Sequence, residues 1–86
     1  MIATLKDGFE VELLENNLDD WELLEAFYDI DNGVDGKIVM VARTLFGTDG
    51  VEKLKNHLRD VNGKVSATAM GDAMQELFES VNKVKN

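Results

Sequence analysis

The residues of this chain with the clearest capacity for chemistry are one histidine and two aspartate-rich turns. His57 is the only histidine among the 86 residues. A histidine acts as a general acid, a general base or a metal ligand only when suitable partners lie beside it, and the sequence places none next to His57. We therefore interpret His57 as an ordinary surface residue.

Two segments partly match calcium-binding loops. In residues 31–42, Asp35 and Gly36 stand at the fifth and sixth loop positions. The twelfth position should supply a bidentate carboxylate, but Ala42 stands there, and the second match, residues 58–69, also ends on alanine. We interpret both segments as helix-ending turns, in which Asn-Gly and Asp-Gly pairs provide positive φ angles. We expect no metal at either one.

Motifs of catalysis are absent from the rest of the sequence. The chain has no nucleophile motif, no phosphate-binding glycine loop and no cluster of metal ligands at a recognisable spacing. It has no cysteine, which removes disulfides, thiolate catalysis and cysteine-based metal sites. We therefore expect a protein that is not an enzyme and that carries no cofactor.

The acidic residues lie mostly in the N-terminal part of the chain. Residues 1–36 carry eleven acidic side chains and one basic one, a net charge of −10, whereas residues 37–86 carry six acidic and eight basic ones, a net charge of +2. The total of −8 repels the phosphate backbone, so we expect no nucleic-acid partner. The acidic part is either a solvated face that keeps a small domain in solution or a docking face for a basic partner.

The hydropathy pattern argues against a membrane location. The longest apolar stretches, such as residues 38–42, fall far short of the roughly 20 residues that a membrane-spanning helix needs. The chain also opens without the charged and then apolar segment of a secretory signal. We expect a soluble protein of the cytoplasm with no membrane partner.

The N-terminal residues are predicted to form a β-hairpin. An Asp7-Gly8 pair separates two short segments, and the second alternates apolar with acidic residues over positions 9–13. This pattern predicts a hairpin over residues 1–14. A two-stranded ribbon is marginally stable alone, so we expect its apolar face to pack on helices.

Helical spacing of apolar residues predicts a mainly α fold of about four helices, packed as a small bundle in a single domain over residues 1–86. Asn16 and Asn17 are predicted N-caps of the first helix, and Thr48 is predicted to cap the third. Ser66 or Thr68 is predicted to cap the fourth. The predicted helices span residues 17–31, 36–46, 49–61 and 67–84.

The second predicted helix has an alternative. Two valines and one isoleucine in residues 36–46 would suit a buried strand, but the apolar pattern extends over about ten residues and Gly47 provides a helix stop, so we favour a helix. Val61 is predicted to lie on the apolar face of the third helix. Gly71 is unfavourable inside the fourth helix, which suggests a close helix crossing at that position.

Several large apolar side chains are candidates for binding another protein. Trp21 and Tyr28 are typical interface anchors, and Met70 and Met74, one helical turn apart, can repack around a partner helix. The same residues also suit a small core, so both uses stay open. We expect the apolar stripes to exceed what so small a domain can bury. The candidate partner-binding residues are Trp21, Leu24, Tyr28, Met70, Met74 and Phe78.

Four sequence features occur in an informative order. An acidic helix opener, LDDWELLEA at residues 18–26, is followed by LFG at 45–47, by LKNHLRD at 54–60 and by a last helix of Ala, Met, Leu and Phe. In this order they resemble the small tail assembly chaperones of long-tailed phages and prophages of Gram-positive bacteria. The resemblance extends over about residues 13–80 and rests on structural motifs, not on catalytic ones.

The resemblance implies a non-enzymatic chaperone, absent from the finished virion, that acts in the cytoplasm of the bacterial host. Such a protein binds the tape measure protein and helps recruit the tail tube protein, and it can self-associate. In such families a longer form often arises by translational frameshifting, which would make residues 81–86 a boundary. Two other functions stay open, a calcium-responsive regulatory module and a small acidic inhibitor or nucleic-acid mimic.

Overall fold

The N-terminal hairpin forms around the Asp7-Gly8 turn, as predicted. In the computed structural model, which describes residues 1–82, strands β1 (Ile2–Thr4) and β2 (Glu10–Glu12) pair antiparallel. Ala3 lies opposite Val11, and both are buried against the helices.

The outer edge of β1 is covered by the last helix of the fold, α3 (Ala67–Asn82). The Thr4 N–H donates to Ser80 Oγ at 3.0 Å, and the Lys6 N–H donates to Glu76 Oε1 at 3.2 Å. A sheet edge with unpaired N–H groups is a template for pairing with other chains. The side chains of α3 therefore satisfy two backbone donors of the first strand and its turn.

The first α-helix begins four residues later than predicted. Residues Glu15–Leu18 form a short 3-10 helix, and α1 spans Trp21–Asp31. Asp20 is the N-cap, since its Oδ1 accepts from the N–H groups of Glu22 and Leu23 at 2.8 and 3.2 Å. The prediction that Asn16 and Asn17 cap this helix is wrong, because the carboxylate of Asp20 accepts from the first N–H groups of the helix.

The second α-helix, α2, spans Lys37–Leu58 and contains one break. Gly47 has φ 72° and ψ 166°, outside the helical region, so the two helices predicted over residues 36–46 and 49–61 are halves of one kinked element. The described residues therefore form three α-helices, whereas about four were predicted. The first half is helical, which excludes the alternative of a buried strand.

The break at Gly47 is closed by the segment that precedes α1. A helix end leaves carbonyl groups without intrahelical donors. Here the Leu45 carbonyl accepts from the Leu14 N–H at 2.7 Å, and the Thr44 carbonyl accepts from Asn17 Nδ2 at 2.8 Å. The side chain of Asn17 thus satisfies the end of another helical segment and not the start of its own.

The second half of α2 ends at Leu58, three residues before its predicted end. Asp60 forms a tight turn in which its Oδ1 accepts from the N–H groups of Asn62 and Lys64 at 2.8 and 3.0 Å. Val61 lies in this turn and is fully exposed. Its predicted place on an apolar helix face is wrong because the Asp60 side chain competes for the backbone donors.

The third α-helix begins as predicted. Ser66 accepts from the Ala69 N–H at 3.2 Å and is its cap. The predicted helix end at residue 84 lies outside the described residues, as does most of the predicted boundary at 81–86. A Cβ added at Gly71 would meet nothing within 4 Å, so the predicted close crossing at Gly71 is wrong.

One apolar core joins the hairpin to the three helices. Phe27 of α1 and Phe78 of α3 pack edge to face, with ring centroids 5.4 Å apart. At Gly50 an added Cβ would lie 3.2 Å from Val11 Cγ2, so α2 and β2 approach closely there. The largest fully buried side chains are Leu13, Leu45, Leu54, Met74, Leu77 and Val41.

Within residues 1–82, no helix combines the length and the apolarity that crossing a membrane requires. The location in the cytoplasm stays a prediction.

The break in α2 yields a test of the fold. We expect Gly47→Ala to lower the free energy of unfolding by about 1–3 kcal/mol, because alanine rarely adopts this backbone conformation. At about 4–8 °C per kcal/mol, the loss is readily measured as a fall in melting temperature by circular dichroism.

The matched control is Gly71→Ala. This glycine lies inside α3 with open space at its Cβ position, so alanine should raise the free energy of unfolding by about 0.5–1 kcal/mol. A Gly47→Ala variant as stable as the unchanged protein would contradict the structural role given to the break.

Candidate partner-binding site

One side of α1 carries an exposed apolar surface. The helix buries Leu23 and Ala26 against the core, while the opposite side exposes 72% of Trp21, 59% of Leu24 and 69% of Tyr28. These three residues follow one another at spacings of three and four, so they line one face of the helix. Large apolar side chains grouped in water in this way mark interaction surfaces.

Carboxylates border this surface. Glu25 and Asp29 line the same shallow pocket as Trp21, Leu24 and Tyr28, and we call these five residues the α1 face. No lysine or arginine occurs in α1. Asp29 Oδ2 lies 3.8 Å from Lys37 Nζ at the start of α2, whereas Glu25 makes no ion pair with the described residues. The α1 face therefore combines apolar side chains with unneutralised negative charge.

The six predicted binding residues do not form one surface. Trp21, Leu24 and Tyr28 lie together on the α1 face, while Phe78 is half-buried against Phe27.

The two methionines occupy different environments. Met70 is partly buried in a groove between α2 and α3. Met74 is only 2% exposed, so its predicted contact with a partner is corrected to a core position. The periodicity of α3 does not distinguish these roles, since both methionines lie on its inward side.

The groove beside Met70 is a second candidate surface, which the sequence analysis missed. Its volume is about 330 Å³, within the range of about 300–1,000 Å³ typical of ligand pockets. It lies where both halves of α2 meet the first turns of α3, and we call it the α2–α3 groove. Its lining is Ile38, Val39, Ala42, Arg43, Val51, Glu52, Lys55, Ala67, Met70 and Met74.

Basic side chains predominate at the edge of the α2–α3 groove. Lys55 Nζ lies 2.9 Å from Glu52 Oε2, and this contact holds the pKa of the Glu52 carboxyl below its ordinary value. Arg43 is exposed and makes no ion pair with the described residues. The groove edge therefore carries two positive charges and one negative charge.

His57 has partners that the sequence does not reveal. Its Nε2 lies 2.7 Å from Asp7 Oδ2 in the hairpin turn, and its ring stacks on Phe9 with centroids 4.3 Å apart. Asp7 Oδ1 accepts from the Phe9 N–H at 3.0 Å. That backbone bond, and then His57, lower the pKa of the Asp7 carboxyl. The cluster fastens the hairpin turn to the end of α2.

The two calcium-like segments are turns in the structure. Gly33 and Gly63 adopt φ angles of 94° and 82°, as the Asn-Gly pairs predict. The Asp60 carboxylate accepts from backbone N–H groups of its own turn. Across the part of the chain that the structure describes, no group of three or more His, Cys, Asp or Glu side chains converges to hold a metal ion.

Comparison of the chain with protein-family models, with curated proteins and with solved structures finds no match. The surfaces described above are therefore interpreted from their own geometry and charge.

The Asp7 carboxylate predicts a dependence of stability on pH. Because folding lowers its pKa, its stabilising contribution is complete above about pH 4 and is lost as the pH falls through the lowered pKa. We expect Asp7→Asn to reduce the free energy of unfolding near neutral pH, and the difference from the unchanged protein to shrink in strongly acidic solution. Urea unfolding over this pH range measures both values.

Asp72→Asn is the control for this measurement, since Asp72 is an exposed carboxylate on α3. It should alter stability little near neutral pH. If Asp7→Asn differed from the unchanged protein equally at all pH values, the lost contact would not involve the carboxylate charge.

Proposed function

We propose that this protein is a non-enzymatic assembly chaperone that covers an apolar helix of a partner chain with its α1 face. The proposed partner is the tape measure protein of a long-tailed phage or prophage, in the cytoplasm of the bacterial host. The resemblance of the sequence motifs to tail assembly chaperones supports the identity of the partner. The exposure of Trp21, Leu24 and Tyr28 on one helix face supports the mode of binding.

The energetics of the α1 face suit a reversible shield. Burying a side chain of this size contributes about 1.5–3 kcal/mol when it is fully removed from water. Part of this gain is offset by the conformational, translational and rotational entropy that the partner loses on binding. The net affinity of three such side chains is therefore moderate, and subunits of a growing assembly can displace the chaperone. A long amphipathic helix would otherwise aggregate before the tail tube encloses it.

The charge of the α1 face adds selectivity. Glu25 and Asp29 lie beside the apolar residues, so a partner helix with basic residues flanking its apolar stripe is favoured. Such charges act mainly on the rate of encounter and on the rejection of acidic partners. Recruitment of the tail tube protein is the second part of the proposed role, and it requires a surface that the bound helix leaves free.

The decisive experiment is co-expression with a helical tape measure fragment encoded near the gene for this protein. We expect the unchanged protein to keep the fragment in solution and to co-purify with it. Trp21→Ala combined with Tyr28→Ala should weaken binding about tenfold or more, because truncation of aromatic anchors removes much of the binding energy. Isothermal titration calorimetry with the purified fragment measures the change.

Val61→Ala is the matched control, since Val61 is an exposed apolar residue in a turn outside the α1 face. This variant should bind as the unchanged protein does. Failure of the unchanged protein to bind the fragment would contradict the proposed partner. Binding that ignores the Trp21 and Tyr28 substitutions and vanishes with modest salt would instead indicate a small acidic interaction protein.

A further inference from the structure

The α2–α3 groove combines an apolar lining with a cationic edge. Its volume is about 330 Å³, and apolar side chains from both halves of α2 and from α3 form most of its lining. Ligand sites are typically concave and apolar, with a few polar groups that fix the orientation of the ligand. We propose that this groove binds a small amphiphilic carboxylate, the chemistry of a medium-chain fatty acid, with the alkyl chain in the groove and the carboxylate at Arg43. The site is separate from the α1 face and does not rest on the proposed function.

The apolar lining is open to a ligand because the core does not cover it. Val39 is 51% exposed, and Ile38, Val51 and Met70 are only partly buried against the core. A methionine side chain is flexible and polarizable, so Met70 can adapt its shape to an alkyl chain. Removal of these apolar groups from water provides the driving force for binding.

Arg43 selects the charge of the ligand. It is exposed and makes no ion pair with the described residues, whereas Lys55 contacts Glu52 at 2.9 Å. Besides Lys55, the charge of Arg43 lowers the pKa of the Glu52 carboxyl, so both cations lie near the same edge. A guanidinium group binds a carboxylate through two parallel hydrogen bonds. An anionic head group is therefore favoured over a neutral or a cationic one.

The size of the groove favours a small molecule over a helix of another protein. An α-helix with its side chains is about 10–12 Å wide, and its apolar stripe runs over several turns. The volume of about 330 Å³ lies at the lower end of the range of about 300–1,000 Å³ for ligand pockets. An unbranched alkyl chain is much narrower than a helix, so it can enter this space while its carboxylate stays at the groove edge.

Titration of the purified protein with sodium decanoate, kept below the concentration at which it forms micelles, tests this inference. We expect a dissociation constant below about 1 mM by isothermal titration calorimetry. Shortening the chain to octanoate and hexanoate should weaken binding by up to about fourfold for each methylene removed, because less apolar surface is buried. Decyltrimethylammonium has the same alkyl length and a cationic head group, and it should bind at least about tenfold more weakly.

NMR spectroscopy locates the bound ligand. Decanoate should shift the methyl signal of Met70 and leave the indole N–H signal of Trp21, on the α1 face, unchanged. Arg43→Gln should weaken decanoate binding about tenfold and remove most of the preference over decyltrimethylammonium.

Lys53→Gln is the matched control, since Lys53 is an exposed cation of the same helix that lies outside the groove lining. This variant should bind decanoate as the unchanged protein does. Circular dichroism checks that both variants are folded.

Absence of decanoate binding overturns the inference. So does equal binding of decanoate and decyltrimethylammonium, or a shift confined to the Trp21 signal, since either result indicates unselective contact with apolar surface. An acidic peptide with one leucine that shifts the Met70 signal and binds more tightly than decanoate also overturns it, because the occupant is then a segment of a protein chain. These measurements contain no tape measure fragment, so their outcome is independent of the proposed function.

Discussion

The break at Gly47 is the constraint on which the rest of the structure depends. It lets α2 change direction, and both halves of α2 line the α2–α3 groove together with α3. The carbonyl groups at the break accept hydrogen bonds from Leu14 and Asn17. These bonds hold the segment between the hairpin and α1, and they thereby contribute to placing α1 with Leu23 and Ala26 inward. The exposure of the opposite side of α1 follows from that placement.

The two candidate surfaces stay exposed because side chains from other parts of the chain fill the core. A chain of 86 residues has a small interior, and the hairpin, α2 and α3 supply most of the side chains that fill it. The inward side of α1 contributes two buried residues, Leu23 and Ala26, while Trp21, Leu24 and Tyr28 are left largely in water. Covering these exposed aromatic side chains with another chain would lower the free energy of the system, which supports the proposal of an interaction protein.

Local patterns predict much of this fold. The Asp7-Gly8 turn, the helical state of residues 36–46 and the Ser66 cap each depend on a few neighbouring residues, and each prediction is confirmed. Errors arise where a side chain has a distant partner. Asn17 bonds the Thr44 carbonyl and His57 meets Asp7, across 27 and 50 positions of the chain. The groove was missed for the same reason, since its lining joins residues of two helices that periodicity assigns to the core.

The hydrogen bonds from Thr4 and Lys6 to the side chains of α3 carry a consequence for how the chain is made. They join groups 76 and 70 positions apart. The ribosome synthesises the hairpin long before it synthesises Glu76 and Ser80. The outer edge of the first strand therefore stays unpaired while the middle of the chain emerges. Contacts of such separation also slow folding, because a large loop has to close before they form. The newborn chain is therefore most vulnerable to unwanted strand pairing before its last helix leaves the ribosome.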